Sequence, residues 1–537
     1  MEDLGAPLLS STRGTEEAHL VLDINGGQQH SEMGEDRNPF DFLGANLSID
    51  SPSPLDPFRN HTPHAQGLYE WVKILVCLPI VLLRLVIFGL SLLVGYVATK
   101  IALIGWTDRQ NPMPRWRCRI MWVTRLCTRT ILFSFGYNWI KRIGKPISRE
   151  IAPIVVSNHV SYIEPIFFFY DLFPTIVASE SHDDMPFVGT IIRAMQVIFV
   201  NRFSAPSRKH AVNEIKRKAS CNSFPRVLLF PEGTTTNGRM LISFQLGAFI
   251  PGFPIQPVAV RYPYVHFDQS WGYISLARLM FRMFTQFHNF MEVEYLPVIF
   301  PLASKKESAV GLAERTSYAI ASALNVIQTS HSYGDLMLLT RASELGLDKP
   351  SSYMVEMAKM ERVFNMNTQE AVELLDKFFA MNPDPNGRVK IFDFVRVLTL
   401  GFNPLSEKIF RFLDVEQVGS ITFRQQFLFG SVTLLKQPSF RQACDTAYAC
   451  CDGEGKGYII KQEFEHAVQS ACPYISVEDY GNLFELFDSH NNDKISHGDF
   501  LTCLRKNPLI IALFASQISI CRTIEAQDGR QAEIMRP

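Results

Sequence analysis

The 537-residue sequence predicts an α/β domain entered through membrane-embedded helices and followed by an all-α domain. Three observations carry that prediction. Trp71–Trp106 is a long apolar segment whose only charges are Lys73, Arg84 and Lys100. Between residues 150 and 340, short β-branched runs alternate with helical stretches. From 365 to 505 a pattern recurs four times around Gly387, Gly419, Gly457 and Asp493. Two residues after each stands Val389, Ile421, Ile459 or Ile495, and nine before stands Phe378, Phe410, Tyr448 or Phe484.

Composition narrows the function classes. The 52 basic and 53 acidic residues nearly cancel, so global charge makes no case for nucleic acid. With 47% hydrophobic and 20% charged residues, the chain is too apolar for wholesale disorder and too polar for a many-spanning transporter. Ten cysteines without paired CxxC spacings point to a reducing, cytosol-facing environment.

Taken in order, residues 1–66 are Gly-, Ser-, Pro- and acid-rich and read as a disordered acidic tail. Residues 67–108 form the membrane-embedded segment. Its uncharged stretch Leu85–Thr99 reaches spanning length only if Arg84 and Lys100 snorkel. Ile74–Leu83, interrupted by Pro79, could form the other arm of a re-entrant hairpin. Residues 109–149 interleave bases with Trp116, Trp122 and Trp139, which suggests helices lying on anionic headgroups, on the cytoplasmic side. Ile154–Val156, Val197–Val200, Val227–Phe230 and Val258–Val260 read as buried strands, with loops at their ends. Residues 506–537 form a C-terminal segment.

The first of those strands runs into Ser157-Asn-His-Val-Ser-Tyr-Ile-Glu-Pro165. On one continuous helix, residues five apart point about 140° apart, so a loop must bring His159 to Glu164, with the helix starting near Pro165. The carboxylate would then hold the imidazole in one tautomer while its other nitrogen takes a proton. Farther on, Phe230-Pro-Glu-Gly-Thr234 ends a strand in a turn suited to phosphate, Arg202 follows another, and Pro254-Ile-Gln-Pro257 precedes a third.

These four blocks, spanning about residues 150–265, resemble the lysophospholipid/glycerophosphate acyltransferase family in order and spacing. The resemblance implies an α/β acyltransferase domain over 150–340. It implies that His159 is the general base toward a lysophospholipid hydroxyl, which attacks the thioester of acyl-CoA, with Glu164 orienting the imidazole. Arg202, Glu232, Gly233 and Thr234 would grip the acceptor's phosphoglycerol, and Pro257 would lie in the acyl-CoA region. Two positions depart from the family: Glu164 replaces the usual Asp, and Gln245 stands where many relatives carry a base.

The repeats resemble EF-hands, an all-α domain over 365–505 whose loops take oxygen ligands at fixed positions and a Gly at the sixth. The implied calcium ligands of the first loop are Asn382, Asp384, Asn386, Arg388 and Asp393. Those of the third are Asp452, Glu454, Tyr458 and Glu463, with Lys456 intruding. Those of the fourth are Asp488, His490, Asn492, Lys494 and Asp499. The second loop, with Val418 and Gln425 at ligand positions, is expected to hold no ion. The alternative is that the hands are kept for packing alone.

The combination looks most like the calcium-loop-bearing lysophospholipid acyltransferases, those of plant type acting on lysophosphatidylethanolamine in particular. That likeness implies an endomembrane enzyme of phospholipid synthesis and remodelling, with both folded domains in the cytosol. Its partners would be lysophospholipid, acyl-CoA and membrane lipids, with calcium as modulator and no cofactor required for the chemistry. The competing readings are a membrane-anchored, calcium-responsive adaptor with a dead site, or a glycerol-3-phosphate acyltransferase.

Overall fold

A computed structural model describes residues 38–45, 55–106, 110–272, 274–302, 307–473 and 475–520. Helix α1 (Leu68–Leu103) runs unbroken through Pro79, so the chain makes no re-entrant turn there. Proline removes one backbone donor, but apolar flanks offer the backbone no other hydrogen-bond partner, and the helix continues. Nor does Arg84 snorkel. It is 8% exposed, and its guanidinium donates to the carbonyls of Phe284, Gln286 and Phe287. Lys73 is likewise buried, 2.5 Å from Glu70 and 2.8 Å from Gln286.

A single helix, α2 (Arg115–Ser134), stands where several basic surface helices were expected. It packs back on α1, with the Thr99 and Thr124 hydroxyls 3.0 Å apart. Several of its bases face protein rather than lipid: Arg117 donates to Ala102, Arg125 to Tyr170 and Asp171, and Arg129 to Tyr137 and Asn138. The outer faces carry Leu82, Leu90 and Val97 of α1 with Trp116, Trp122 and Leu126 of α2, all exposed. Among the described residues, α1 is the one helix long and apolar enough to cross a membrane.

The α/β domain follows as β1 (Lys141–Ile143), β2 (Ile154–Ser157), α3 (Ile163–Asp171), β3 (Thr175–Ser179), α4 (Val188–Ala194) and β4 (Ile198–Val200). It continues as α5 (Ala205–Ser220), β5 (Val227–Leu229), β6 (Met240–Leu241), β7 (Ile255–Arg261), α6 (Leu276–Phe284) and β8 (Glu292–Tyr295). Seven strands form one sheet in the order β1-β8-β7-β2-β5-β3-β4, parallel except where β7 meets β8. Alternate residues sort to its two faces. Val155, Leu228 and Val258 meet Phe167 and Phe168 on one side, while Ile154, Val156, Val227 and Leu229 meet Ile215 on the other. Because β2 and β5 are parallel neighbours, the loops after them leave from the same sheet edge.

Helices α7 (Ala309–Leu324), α8 (Tyr333–Glu344) and α9 (Met357–Phe364), with the short β9 (Ile327–Gln328) beside β6, lead into the helical region. There, α10 (Thr368–Ala380), β10 (Arg388–Lys390) and α11 (Ile391–Leu398) form the first helix–loop–strand–helix unit. The second is α12 (Pro404–Leu413), β11 (Ser420–Thr422), a π-helical turn Phe423–Leu428 and α13 (Phe429–Lys436). Two more follow: α14 (Phe440–Cys451), β12 (Tyr458–Ile460) and α15 (Lys461–Ala471), then α16 (Val477–Phe487), β13 (Lys494–Ser496) and α17 (His497–Lys506). Units pair through antiparallel ladders, Val389 opposite Ile421 and Ile459 opposite Ile495. The C-terminal turn Pro508–Phe514 is buried in their shared core.

The tail departs from expectation. Residues 1–37 and 46–54 lie outside the described residues, but 38–45 and 55–66 pack on the protein. Phe40 is fully buried, edge-on to Phe412 at 4.7 Å. Phe58 is buried among Ile242, Leu339 and Met354. Asn60 Nδ2 donates to the carbonyls of Ser270 (2.7 Å) and Asp268 (3.1 Å). The low apolar content of this segment hid two aromatic anchors and an asparagine whose partners lie some two hundred residues away.

Candidate active site

The loop after β2 is fixed before any side chain reaches outward. Asn158 clamps it to β7, donating to the Val260 carbonyl (2.9 Å) and accepting its N–H (2.8 Å). Helix α3 starts at Ile163, two residues before Pro165, which puts Glu164 in its first turn. From there the Glu164 carboxylate, fully buried, folds back. It accepts the N–H of Val160 on Oε1 (3.0 Å) and that of Ser161 on both oxygens (3.0 Å each). The longer side chain thus caps the loop that carries His159, which absorbs the extra methylene relative to Asp. His159 Nδ1 lies 3.2 Å from Glu164 Oε2, leaving Nε2 free to exchange a proton. The imidazole also stacks on Phe230, ring centroids 4.2 Å apart and planes 22° apart.

Two tyrosines, Tyr137 and Tyr262, feel the Glu164 charge. Burial pushes both phenols well above their usual range, with the Glu164 charge contributing, so they remain neutral donors.

The loop after β5 brings Gly233 and Thr234, both half-buried, alongside. Glu232 is placed otherwise than the family resemblance implied. It is fully buried, so it cannot grip a substrate, and its Oε1 accepts the His159 backbone N–H at 2.8 Å. Burial, countered by its hydrogen bonds, pushes its carboxyl up to about 8. Thr236 N–H closes the same loop on the His159 carbonyl at 2.8 Å. Gly233 has φ of +75°, a conformation that favours glycine. A Cβ added there would meet Gln245 Cγ at 3.7 Å, Tyr333 Cβ at 3.9 Å and Arg202 Cζ at 4.0 Å. Arg202 therefore lies beside the glycine turn, its guanidinium 4.5 Å above the Tyr333 ring. Gln245 is exposed, its N–H on the Pro231 carbonyl. Pro257 is buried inside β7 opposite Val156, so its ring offers no surface to a ligand.

Three further side chains contribute to the site. Phe230, which opens the Phe230–Thr234 block, stacks on the imidazole. Tyr333 arrives from α8, far along the chain. Asn237 ties the loop to the tail, its N–H on the Pro57 carbonyl (2.7 Å) and its Nδ2 on that of Asp56 (2.9 Å). Phe230 and Asn237 belong to the strand end and loop after β5, whereas Tyr333 carries no such signal.

The expected calcium ligands lie in the loops between the paired helices. No group of three or more His, Cys, Asp or Glu side chains among the described residues could hold a metal ion. In the first loop Asp384 Oδ1 is taken by the N–H groups of Asn386 and Arg388, Asn382 has φ of +54°, and Asp393 pairs with Arg396 at 3.4 Å. In the third, Asp452 accepts the N–H groups of Lys456 and Gly457, beside the strand that begins at Tyr458. There the Lys456 ammonium lies 2.6 Å from Glu463 and 3.5 Å from Glu454, pairing with two of the implied ligands. In the fourth, Asp488 accepts the N–H groups of Asn492 and Asp493, ahead of Lys494. Asp499 is held by Ser489, Ser496 and His490. These contacts engage the carboxylates that the resemblance assigns to calcium.

Comparison with known proteins agrees with the geometry. The family model described as Acyltransferase matches residues 140–261. The lysophospholipid acyltransferase LPEAT2 of Arabidopsis thaliana is 63% identical over 483 residues, covering 90% of this chain and 89% of the relative. The lysophosphatidylcholine acyltransferase 2 of Mus musculus is 30% identical over 484 residues, covering 87% and 86%. The human protein of the same name is 29% identical over 480 residues, covering 87% and 86%.

Proposed function

The chain belongs to the lysophospholipid acyltransferase family, and from that premise we propose that it transfers an acyl group from acyl-CoA to the free hydroxyl of a lysophospholipid, lysophosphatidylethanolamine being favoured. The observation that carries the mechanism is the 3.2 Å approach of His159 Nδ1 to Glu164 Oε2. With Nδ1 engaged, Nε2 takes the proton of the acceptor hydroxyl as its oxygen attacks the thioester carbonyl. The buried carboxylate stabilises the imidazolium so formed. That proton then passes to the departing CoA sulfur as the tetrahedral intermediate collapses. Arg202 and the glycine turn at Gly233 bind the acceptor's phosphate, a role that suits a planar cation with several N–H donors. Glu232 acts behind them, holding the His159 backbone.

The paired helix–loop–strand–helix units are, on this reading, EF-hands that serve chiefly as packing. Calcium takes no part in the chemistry. The enzyme sits on an endomembrane of the secretory system with its catalytic domain in the cytosol, where acyl-CoA is available.

The test is acyl transfer from labelled acyl-CoA to a panel of lysophospholipids and to glycerol 3-phosphate, using membranes from a host lacking such enzymes. His159→Ala should lower turnover by ~10²–10⁴ at unchanged protein level. Retention of near-normal transfer by that variant would replace this reading with an inactive, membrane-anchored adaptor.

A further inference from the structure

Tyr333 does not belong to the segment that the acyltransferase model matches, residues 140–261, yet it stands in the site. Resting on the reading of Arg202 as the phosphate-binding cation, we infer that Tyr333 is a positioning residue for the lysophospholipid headgroup, its ring holding the Arg202 guanidinium in place from the helical side of the molecule.

Several observations converge on this. The Arg202 guanidinium carbon is 4.5 Å from the centre of the Tyr333 ring. The side chain is half-buried, and no carboxylate pairs with it within 4.0 Å among the described residues. A half-buried, flexible cation without an anionic partner is free to choose among rotamers until something restricts it. An aromatic face does so without neutralising the charge, and it leaves the N–H edge open to an incoming phosphate. The neighbouring turn at Gly233 completes the cradle, its pro-side-chain position 3.9 Å from Tyr333 Cβ and 4.0 Å from the guanidinium carbon.

The backbone of Tyr333 is itself held from behind. It is the first residue of α8, preceded by a capping box in which Ser332 and Asp335 exchange hydrogen bonds. Asp335 is fully buried and also accepts the N–H groups of Val355 and Met357, each at 2.8 Å. Gly334 lies so close to the start of α10 that a Cβ there would stand 2.6 Å from the Thr368 hydroxyl and 2.8 Å from Met357. The ring over Arg202 is thus fixed by an element seated on the first of the paired helical units. Headgroup recognition and the helical region meet at this one side chain.

The experiment is steady-state kinetics in membranes, varying lysophosphatidylethanolamine at saturating acyl-CoA and then the reverse. Tyr333→Leu keeps an apolar contact but removes the π face. Its KM for the acceptor should rise about three- to thirty-fold, with the KM for acyl-CoA within about twofold of the parent. Tyr333→Phe should recover most of the acceptor affinity. In an Arg202→Ala background, adding Tyr333→Leu should raise the acceptor KM no further, because the tyrosine acts through the arginine. Should Tyr333→Leu not accumulate in the membrane, Tyr333→Met takes its place with the same expectations. If Arg202→Ala raises the acceptor KM while the Tyr333 variants leave it unchanged, or if the two effects add, the role of Tyr333 falls and that of Arg202 stands. If Arg202→Ala itself leaves the acceptor KM unchanged, the phosphate-binding reading falls and takes this inference with it.

Discussion

At the scale of the residue, the site uses two buried carboxyls for opposite purposes. Glu164 gathers N–H groups from Val160 and Ser161 and faces the imidazole. Glu232 is pushed up to about 8 by burial, so near neutral pH it is mostly the uncharged acid, with one oxygen on the His159 N–H. No second negative charge then competes for the imidazolium. The linkage has a definite sign. Below pH 4.5 the carboxyl is protonated in folded and unfolded chains alike, and its burial costs nothing further. Between 4.5 and 8 the unfolded chain releases a proton that the folded chain keeps, so stability falls as pH rises through that window. At 1.36 kcal/mol per unit, the loss by pH 8 is of the order of 3–5 kcal/mol. Glu232→Gln keeps an oxygen for His159 but cannot ionise. Its thermal midpoint should therefore drop less between pH 5 and pH 8 than that of the parent. Parallel curves would mean that Glu232 is not titrating in this range.

At the scale of the element, the loops of the helical region show how far a pattern in sequence reaches. The spacing of Gly387, Gly419, Gly457 and Asp493 located four units and their paired strands, because a turn, a β-branched residue in a ladder and a buried aromatic are each local demands. Ligand geometry is not local in that sense. It depends on where the Lys456 ammonium comes to rest, and it rests on Glu463 and Glu454. Calorimetry on the full chain should find calcium bound no more tightly than ~10⁻⁵ M, and Lys456→Asn should strengthen binding at least tenfold by freeing both carboxylates. A nanomolar site in the parent would contradict this. The same contrast holds in the sheet. β2, β5 and β7 were legible because strands buried on both faces read as unbroken apolar runs. β1 was not, as its three residues are all exposed, and β8 was not, because Glu292 and Glu294 alternate with its two apolar residues. In the site, the His159–Glu164 pair was legible from a single loop. Tyr333 over Arg202 joins residues more than a hundred positions apart, and no local pattern records that contact.

At the scale of the whole molecule, the ends of α1 decide how the protein meets a bilayer. A 36-residue helix is roughly 54 Å long, ample for an apolar core of ~30 Å. A spanning helix, however, delivers its two ends to opposite sides. Here the segment leading into α1 is bound to the catalytic domain through Asn60 on Ser270 and Arg282 on Thr62, and Glu70 lies 3.5 Å from Arg282. One turn further on, Lys73 meets Gln286, and Arg84 meets the carbonyls after α6. Beyond α1, α2 returns to the same domain through Arg125 on Tyr170. Both ends of the helix are therefore anchored to one body, while Leu82, Leu90 and Leu93 with Trp122 and Leu126 leave an apolar face outward. Such a face suits a helix pair lying in one leaflet, with aromatic and basic side chains at the headgroups. It follows that an N-glycosylation tag placed ahead of residue 38 and another near residue 345 should both stay unmodified in microsomes. Alkaline carbonate and high salt alike should leave the protein with the membrane, because what holds it is apolar area rather than charge. Glycosylation at the first tag alone would show that α1 crosses the bilayer, and the contacts of residues 55–84 with the catalytic domain could not then exist together with it.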